Sequence, residues 1–198
     1  MNRSNRIASL RRATQETSIE VEVNLDGCGR ANVKTGIGFL DHMLNSLAKH
    51  SRVDLVLQCE GDLQVDTHHT TEDCALALGE TIRKALVDFS GIQRFGSAYA
   101  PLDEALSRVV IDLCGRPFPA IDIPFRREQI GTVATEDIVH FFGSFAMGLG
   151  ATLHVEILRG ENDHHKAEAA FKALALALRE AIRNTGFGDV PSTKGVLG

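Results

Sequence analysis

The sequence predicts an α/β protein, of the two-layer α+β type, built from two copies of a β-α-β-α unit, each burying a helix face against a sheet face. Residues 17–25, TSIEVEVNL, and 107–113, SRVVIDL, alternate apolar and polar side chains as half-buried strands do. Both strands run into the tripeptide Cys-Gly-Arg, at 28–30 and again at 114–116. Each tripeptide is followed by a lone histidine and then a His-His-x-x-Glu run: His42 with His68, His69 and Glu72, and His140 with His164, His165 and Glu168.

The first half, 1–90, opens on a basic, acid-free stretch over 1–12. It lacks the apolar core of a secretion signal, and a remnant of an organelle transit peptide is the minor reading. After the strand at 17–25 come a helix around His42, a strand from Val53 to Cys59 and a glycine turn at Gly61-Asp62. A helix then opens on His68, with Leu76, Leu78, Ile82 and Leu86 on its apolar face. The boundary between halves falls at 89–96, where Gly91 and Gly96 break the pattern. The second half, 91–198, repeats the order: the strand at 107–113, a helix around His140, a strand from Ala151 to Leu158, and a turn at Gly160-Glu161-Asn162. Its last helix opens on His164 and carries Phe171, Leu174, Leu178 and Ile182, and a polar tail over 186–195 cannot continue it. A frayed end is the plain reading of that tail. The two halves together read as one functional unit.

Six of the eight histidines fall in the repeated pattern, leaving His50 and His154 outside it. Residues three or four apart share a helix face, so His68 with Glu72, and His165 with Glu168, are expected to converge on a metal ion. Adjacent histidines diverge by roughly 100° and are expected to serve different ions or sites. Two such helices imply two metals. His154, in an alternating apolar strand, reads as structural.

Composition narrows the function. With 198 residues, 43% of them apolar, the chain can bury a real core. A net charge of −5 without a basic cluster argues against a nucleic-acid partner, and no apolar run approaches a membrane span. The four cysteines show no Cys-x-x-Cys spacing, which points to reduced thiols and a cytoplasmic location.

Several motifs together carry a resemblance. GIGFLDHML at 36–44, HHTTED at 68–73, Arg94-Phe95-Gly96, PLDEA at 101–105, Gly115-Arg116-Pro117, the second His-His run and PSTKG at 191–195 resemble, in this order, the imidazoleglycerol-phosphate dehydratase family. The resemblance runs from about Arg12 to the end and is to the single-function form. Ser51 and Cys114 stand where Gly and Ser are expected. It implies a ribosomal-protein-S5-domain-2-like fold with helices packed between sheets, and a 24-subunit homo-oligomer built from trimers with active sites at subunit boundaries. It also implies removal of water from imidazole glycerol phosphate to give imidazole acetol phosphate, in histidine biosynthesis, with two manganese ions per active site.

By motif, the ligands implied are His42, His68, His69, Glu72, His140, His164, His165 and Glu168, the set that spacing also selects. The ions would act as Lewis acids on the substrate ring and as a template for it. Histidine and carboxylate donors suit manganese, iron, cobalt or zinc alike, so manganese comes from the resemblance alone. Glu72 and Glu168 are thereby catalytic candidates, and Glu16 is the acid/base candidate beside the hydroxyl-bearing chain. His50 is placed at the substrate. For the phosphate the resemblance implies Arg94, Arg116, Lys172, Ser192, Thr193 and Lys194, a mix of cations and hydroxyls suited to a dianion. The Asp103-Glu104 loop is expected to support the site. A dinuclear metallohydrolase is the alternative, since the same ligands can activate water. An RNA-binding module lacks its basic face, and a ferritin-like di-iron bundle is interrupted by strands.

Overall fold

The computed structural model describes residues 6–193 and 195. In order, the elements are β1 (Ile7–Ala13), β2 (Thr17–Asn24), β3 (Ala31–Lys34), α1 (Gly38–Ser51), β4 (Asp54–Gly61) and α2 (His68–Leu86). The second half follows with β5 (Phe95–Leu102), β6 (Ala105–Asp112), β7 (Phe118–Asp122), β8 (Gln129–Ile130), β9 (Val133–Ala134), α3 (Thr135–Leu149), β10 (Thr152–Arg159) and α4 (Asp163–Ala181).

The halves share one sheet topology. The first sheet runs β1-β2-β4-β3 and the second β5-β6-β10-β7. In each, three strands are antiparallel neighbours and the last, β3 or β7, lies parallel to β4 or β10. Strict alternation makes β2 and β6 the inward-facing centre strands: Ile19, Val21 and Val23 point inward, as do Val109 and Ile111. Helices α1 and α2 line the first sheet, α3 and α4 the second, and the helix layers meet between the sheets. Phe141, Phe142, Phe145 and Phe171 fill the middle of that layer.

Each half therefore holds more strands than the β-α-β-α pattern expects. The basic start contributes β1, on which Arg11 faces solvent along a sheet edge while Ala8 and Leu10 pack on the core and Arg12, on their face, pairs with the buried Asp73. Lysine and arginine on an exposed edge are the usual guard against pairing with another chain. The boundary at 89–96 is also shorter than its glycines suggest, because β5 begins at Phe95. Gly96 serves close approach: a Cβ there would lie 2.0 Å from the Ala177 carbonyl oxygen of α4. Between Cys-Gly-Arg and the lone histidine, the second half inserts the β8–β9 hairpin. The chain leading into that hairpin is tied to the start of α4 by a buried pair, Lys166 and Asp163 with Nζ to Oδ1 at 2.8 Å: Lys166 donates to the Pro124 carbonyl and Asp163 accepts from the Arg126 and Arg127 N–H groups.

Helices pair across the halves. α2 packs on α3 and α1 on α4. This crossing brings each lone histidine to the His-His helix of the other half.

Candidate metal centres and active site

His42 lies on the second turn of α1 and meets the first turns of α4, where its Nε2 stands 3.3 Å from Glu168 Oε2. His164 Nε2 stands at the same distance from that oxygen. On the other crossing, His68 and His140 each place Nε2 3.4 Å from Glu72 Oε2. In both clusters one nitrogen from each histidine and one carboxylate oxygen lie within 4.8 Å of one another. Donors of an ion bound at just over 2 Å must lie about 3–4.5 Å apart, so two imidazoles and a carboxylate at this separation fit a divalent transition metal.

The partner of Glu168 differs from the expected one. His164, four residues before it, shares its face, while His165, three before, turns toward the 103–104 loop. The adjacent histidines part as helix geometry requires, with ring planes 73° apart for His68 and His69 and 88° for His164 and His165.

Three carboxylates hold the histidines from behind. His68 Nδ1 bonds Asp137 Oδ1 at 2.9 Å, His69 Nδ1 bonds Asp62 Oδ2 at 3.0 Å, and His165 Nδ1 bonds Glu104 Oε2 at 2.7 Å. A carboxylate at Nδ1 fixes the tautomer that leaves Nε2 as a donor to metal. The bonds to Asp137 and Asp62 raise the His68 and His69 pKa values from the ordinary imidazole value. Glu104 is held down to about 2, first by the Asn162 backbone N–H and then by His165. Sequence reasoning missed Asp62 and Asp137. Their signal was position: Asp62 closes the turn before the His-His helix, and Asp137 sits one helical turn before His140.

The substrate candidates surround these clusters unevenly. Glu16, in the β1–β2 turn, brings Oε1 to 3.6 Å from His69 Nε2. Lys172 Nζ bonds Glu168 Oε1 at 2.7 Å. Burial opposes the Glu168 charge, but Lys172 and His42 outweigh it and its pKa is lowered. His50, on the last turn of α1, has a lowered pKa because it is partly buried and because Lys172 is near. Arg94 is committed elsewhere: Nε and Nη2 bond Asp112 at 2.7 and 3.0 Å, and Nη1 donates to the Pro191 carbonyl at 2.7 Å. It thereby pins the tail that carries Ser192 and Thr193; Lys194 lies outside the described residues. The tail is anchored further by Gly91 N–H to the Asp189 carbonyl at 2.9 Å.

The two Cys-Gly-Arg turns differ in a way that bears on anion binding. Arg30 is neutralised by Asp54, with Nη2 at 2.6 Å. The matching first residue of β10 is Thr152, whose hydroxyl donates to the Arg116 carbonyl, and among the described residues the exposed Arg116 guanidinium has no ion-pair partner. His154 lies on the outer face of the second sheet near Phe118, away from both clusters. All four cysteines are free thiols.

The sequence matches the family model described as Imidazoleglycerol-phosphate dehydratase over residues 35–178. The Imidazoleglycerol-phosphate dehydratase of Phaffia rhodozyma is 55% identical, with 97% of this chain and 96% of that protein covered. That of Zymomonas mobilis is 56% identical, with 97% and 99% covered. The Phytophthora nicotianae protein of the same name is 57% identical, and the chain spans 42% of its length. Among solved structures, the Staphylococcus aureus Imidazoleglycerol-phosphate Dehydratase superposes with a TM-score of 0.82 at 34% identity, covering 90% of this chain and 99% of that one. With a family match over most of the chain, relatives above 50% identity along nearly all of it and the same fold in a solved member, this chain belongs to the imidazoleglycerol-phosphate dehydratase family.

Proposed function

We propose that the chain removes water from imidazole glycerol phosphate to give imidazole acetol phosphate, in histidine biosynthesis, using two manganese ions per active site. The observation that carries this reading is the pair of crossed clusters, His42/His164/Glu168 and His68/Glu72/His140, in a member of a dehydratase family. Bound at these donors, the ions supply Lewis acidity toward the substrate's ring nitrogens and hold the ring in place.

The chain's own residues do the rest. Asp137, Asp62 and Glu104 each accept at Nδ1 of a histidine, which selects the tautomer whose Nε2 lone pair faces outward and aims that ring. Glu16 is the carboxylate that takes and returns the proton at the substrate's side chain, from its place beside His69. Arg116, Lys172, Ser192, Thr193 and Lys194 receive the phosphate, while Arg94 holds the tail in reach of it. His50 sits beside Lys172, where it adds a wall to the substrate site.

His69 and His165 face away from the clusters of their own chain, so we assign them to centres completed by a neighbouring subunit. This supports assembly from trimers into a 24-mer, with metal linking subunits. Chelation should then convert a very large particle into smaller folded units, and manganese should restore size and activity together; light scattering that finds the mass unchanged after verified metal loss removes the inter-subunit role. The free thiols suit a cytoplasmic enzyme. No helix among the described residues is long and apolar enough to cross a membrane.

The direct test is incubation of the purified chain with imidazole glycerol phosphate and manganese. Formation of an enolisable ketone with phosphate retained is expected. Release of inorganic phosphate without ketone would make it a metallohydrolase instead.

A further inference from the structure

We propose that the two centres are unequal, and that the one on the α2–α3 crossing binds its ion more tightly and fills first. This rests on the metal-binding reading above. The two donor triads are alike, two imidazoles and one glutamate each, but what stands behind them is not.

Three residues before the lone histidine, α3 carries Asp137 and α1 carries Phe39. Asp137 is buried at 3% exposure and saturated, with Oδ1 on His68 Nδ1 and Oδ2 accepting from Thr67 Oγ1 at 2.6 Å. It puts a full negative charge behind a ligand and makes that imidazole a stronger donor. At the matching place Phe39 offers a ring edge to His164, centroids 5.1 Å apart, which orients the imidazole but adds no charge. Four residues after the ligand glutamate the contrast repeats. Glu168 is followed by Lys172, whose ammonium occupies Oε1 at 2.7 Å, while Glu72 is followed by Leu76. A dication at Glu168 must share its carboxylate with a cation; a dication at Glu72 does not.

Both differences act in one direction. Counting the glutamate, the carboxylate behind the histidine and the lysine, the α2–α3 centre has two formal negative charges and no positive one, whereas at the α1–α4 centre one of each cancel. For a divalent cation in a partly desolvated site, charge of this size outweighs small differences in donor distance. Lys172 also makes the weaker centre the adjustable one, because any anion that draws its ammonium from Glu168 returns that carboxylate to the ion.

The test is titration of the metal-freed full chain with manganese alone, with free ion read by electron paramagnetic resonance and folding checked by circular dichroism. Two affinity classes are expected. Glu72→Gln should remove the tighter and Glu168→Gln the weaker. Asp137→Asn, which keeps size and an acceptor, should weaken the tighter class by about 10- to 100-fold and leave the other unmoved. Lys172→Gln should strengthen the weaker class by about tenfold. A single class of two equal ions, or loss of the tighter class on Glu168→Gln, overturns the inequality while leaving metal binding intact. No bound manganese in the parent chain overturns the metal reading and this inference with it.

Discussion

The α2–α3 and α1–α4 crossings are copies of one arrangement, yet their axes meet on different side chains. At the first, Gly148 of α3 lies so close to α2 that a Cβ would come within 2.4 Å of the Leu76 carbonyl oxygen, and Gly79 of α2 meets the α3 backbone in return. At the second, the repeat places His50 and Ala175 at these positions. The donors at the helix ends nevertheless reach the same spacing, 3.3 or 3.4 Å from histidine nitrogen to glutamate oxygen. Duplication has held the ligand turns constant while the contacts one or two turns further on diverged. Ligand geometry is therefore set by each helix's own first turns and by the sheets beneath, and the crossing needs only to bring the ends together.

The largest effect should fall where the two regions are alike. Glu72→Gln and Glu168→Gln each keep size but remove the charge their cluster shares, so each should leave a folded protein with dehydratase activity reduced by at least about 100-fold. Near-parental turnover of both variants at saturating manganese would break the equivalence of the triads and the ligand assignment. Next comes Arg116, which has no ion-pair partner among the described residues, whereas its counterpart Arg30 is bound to Asp54. Arg116→Ala should weaken a phosphate-bearing inhibitor by roughly 10- to 150-fold, as loss of one charge-assisted bond of about 1.5–3 kcal/mol implies, with metal content unchanged. Arg30→Ala serves as the control and should leave inhibitor affinity alone; equal effects of the two would erase the contrast.

Smaller again are changes at the crossings. Gly148→Ala forces α2 and α3 apart and should cost about 1–3 kcal/mol in urea unfolding. Ala175→Gly at the matching place relieves nothing and should cost only about 1 kcal/mol, by helix propensity. If the order is reversed, the tight crossing is not where packing energy resides.

How far the sequence discloses this molecule depends on which interactions are local. Helices opening on His68 and His164 were legible because the apolar stripe and the ligand spacing share one period. The centre strands β2 and β6 were legible because one face of each is buried. Edge strands were not: β1 falls in the basic stretch over 1–12, for which no strand was expected, and β3 is only four residues long. Six of the ligand candidates gather in clusters, but which lone histidine meets which His-His pair is decided by helix pairing across the halves, a long-range contact that no spacing encodes. The same holds for Asp137, which stands 69 residues from the histidine it orients. Glu104 was within reach because the PLDEA motif of the resemblance drew attention to its loop, whereas the expected convergence of His165 with Glu168 failed on a single residue of helical phase.

Arg94 has a consequence of another kind. Clamped to Asp112 and donating to the Pro191 carbonyl, it fixes a point one residue before Ser192 and two before Thr193. The Ser192 N–H in turn donates to the Val190 carbonyl at 2.7 Å, so the segment that carries both hydroxyls is held close to its anchor. Hydroxyls so confined present themselves to a bound anion at a local concentration of millimolar or higher, without any contact of Arg94's own with the ligand. Cutting the anchor would then act as dilution does: the donors would be chemically unchanged, and the loss would appear as slower capture and a larger entropy of ordering.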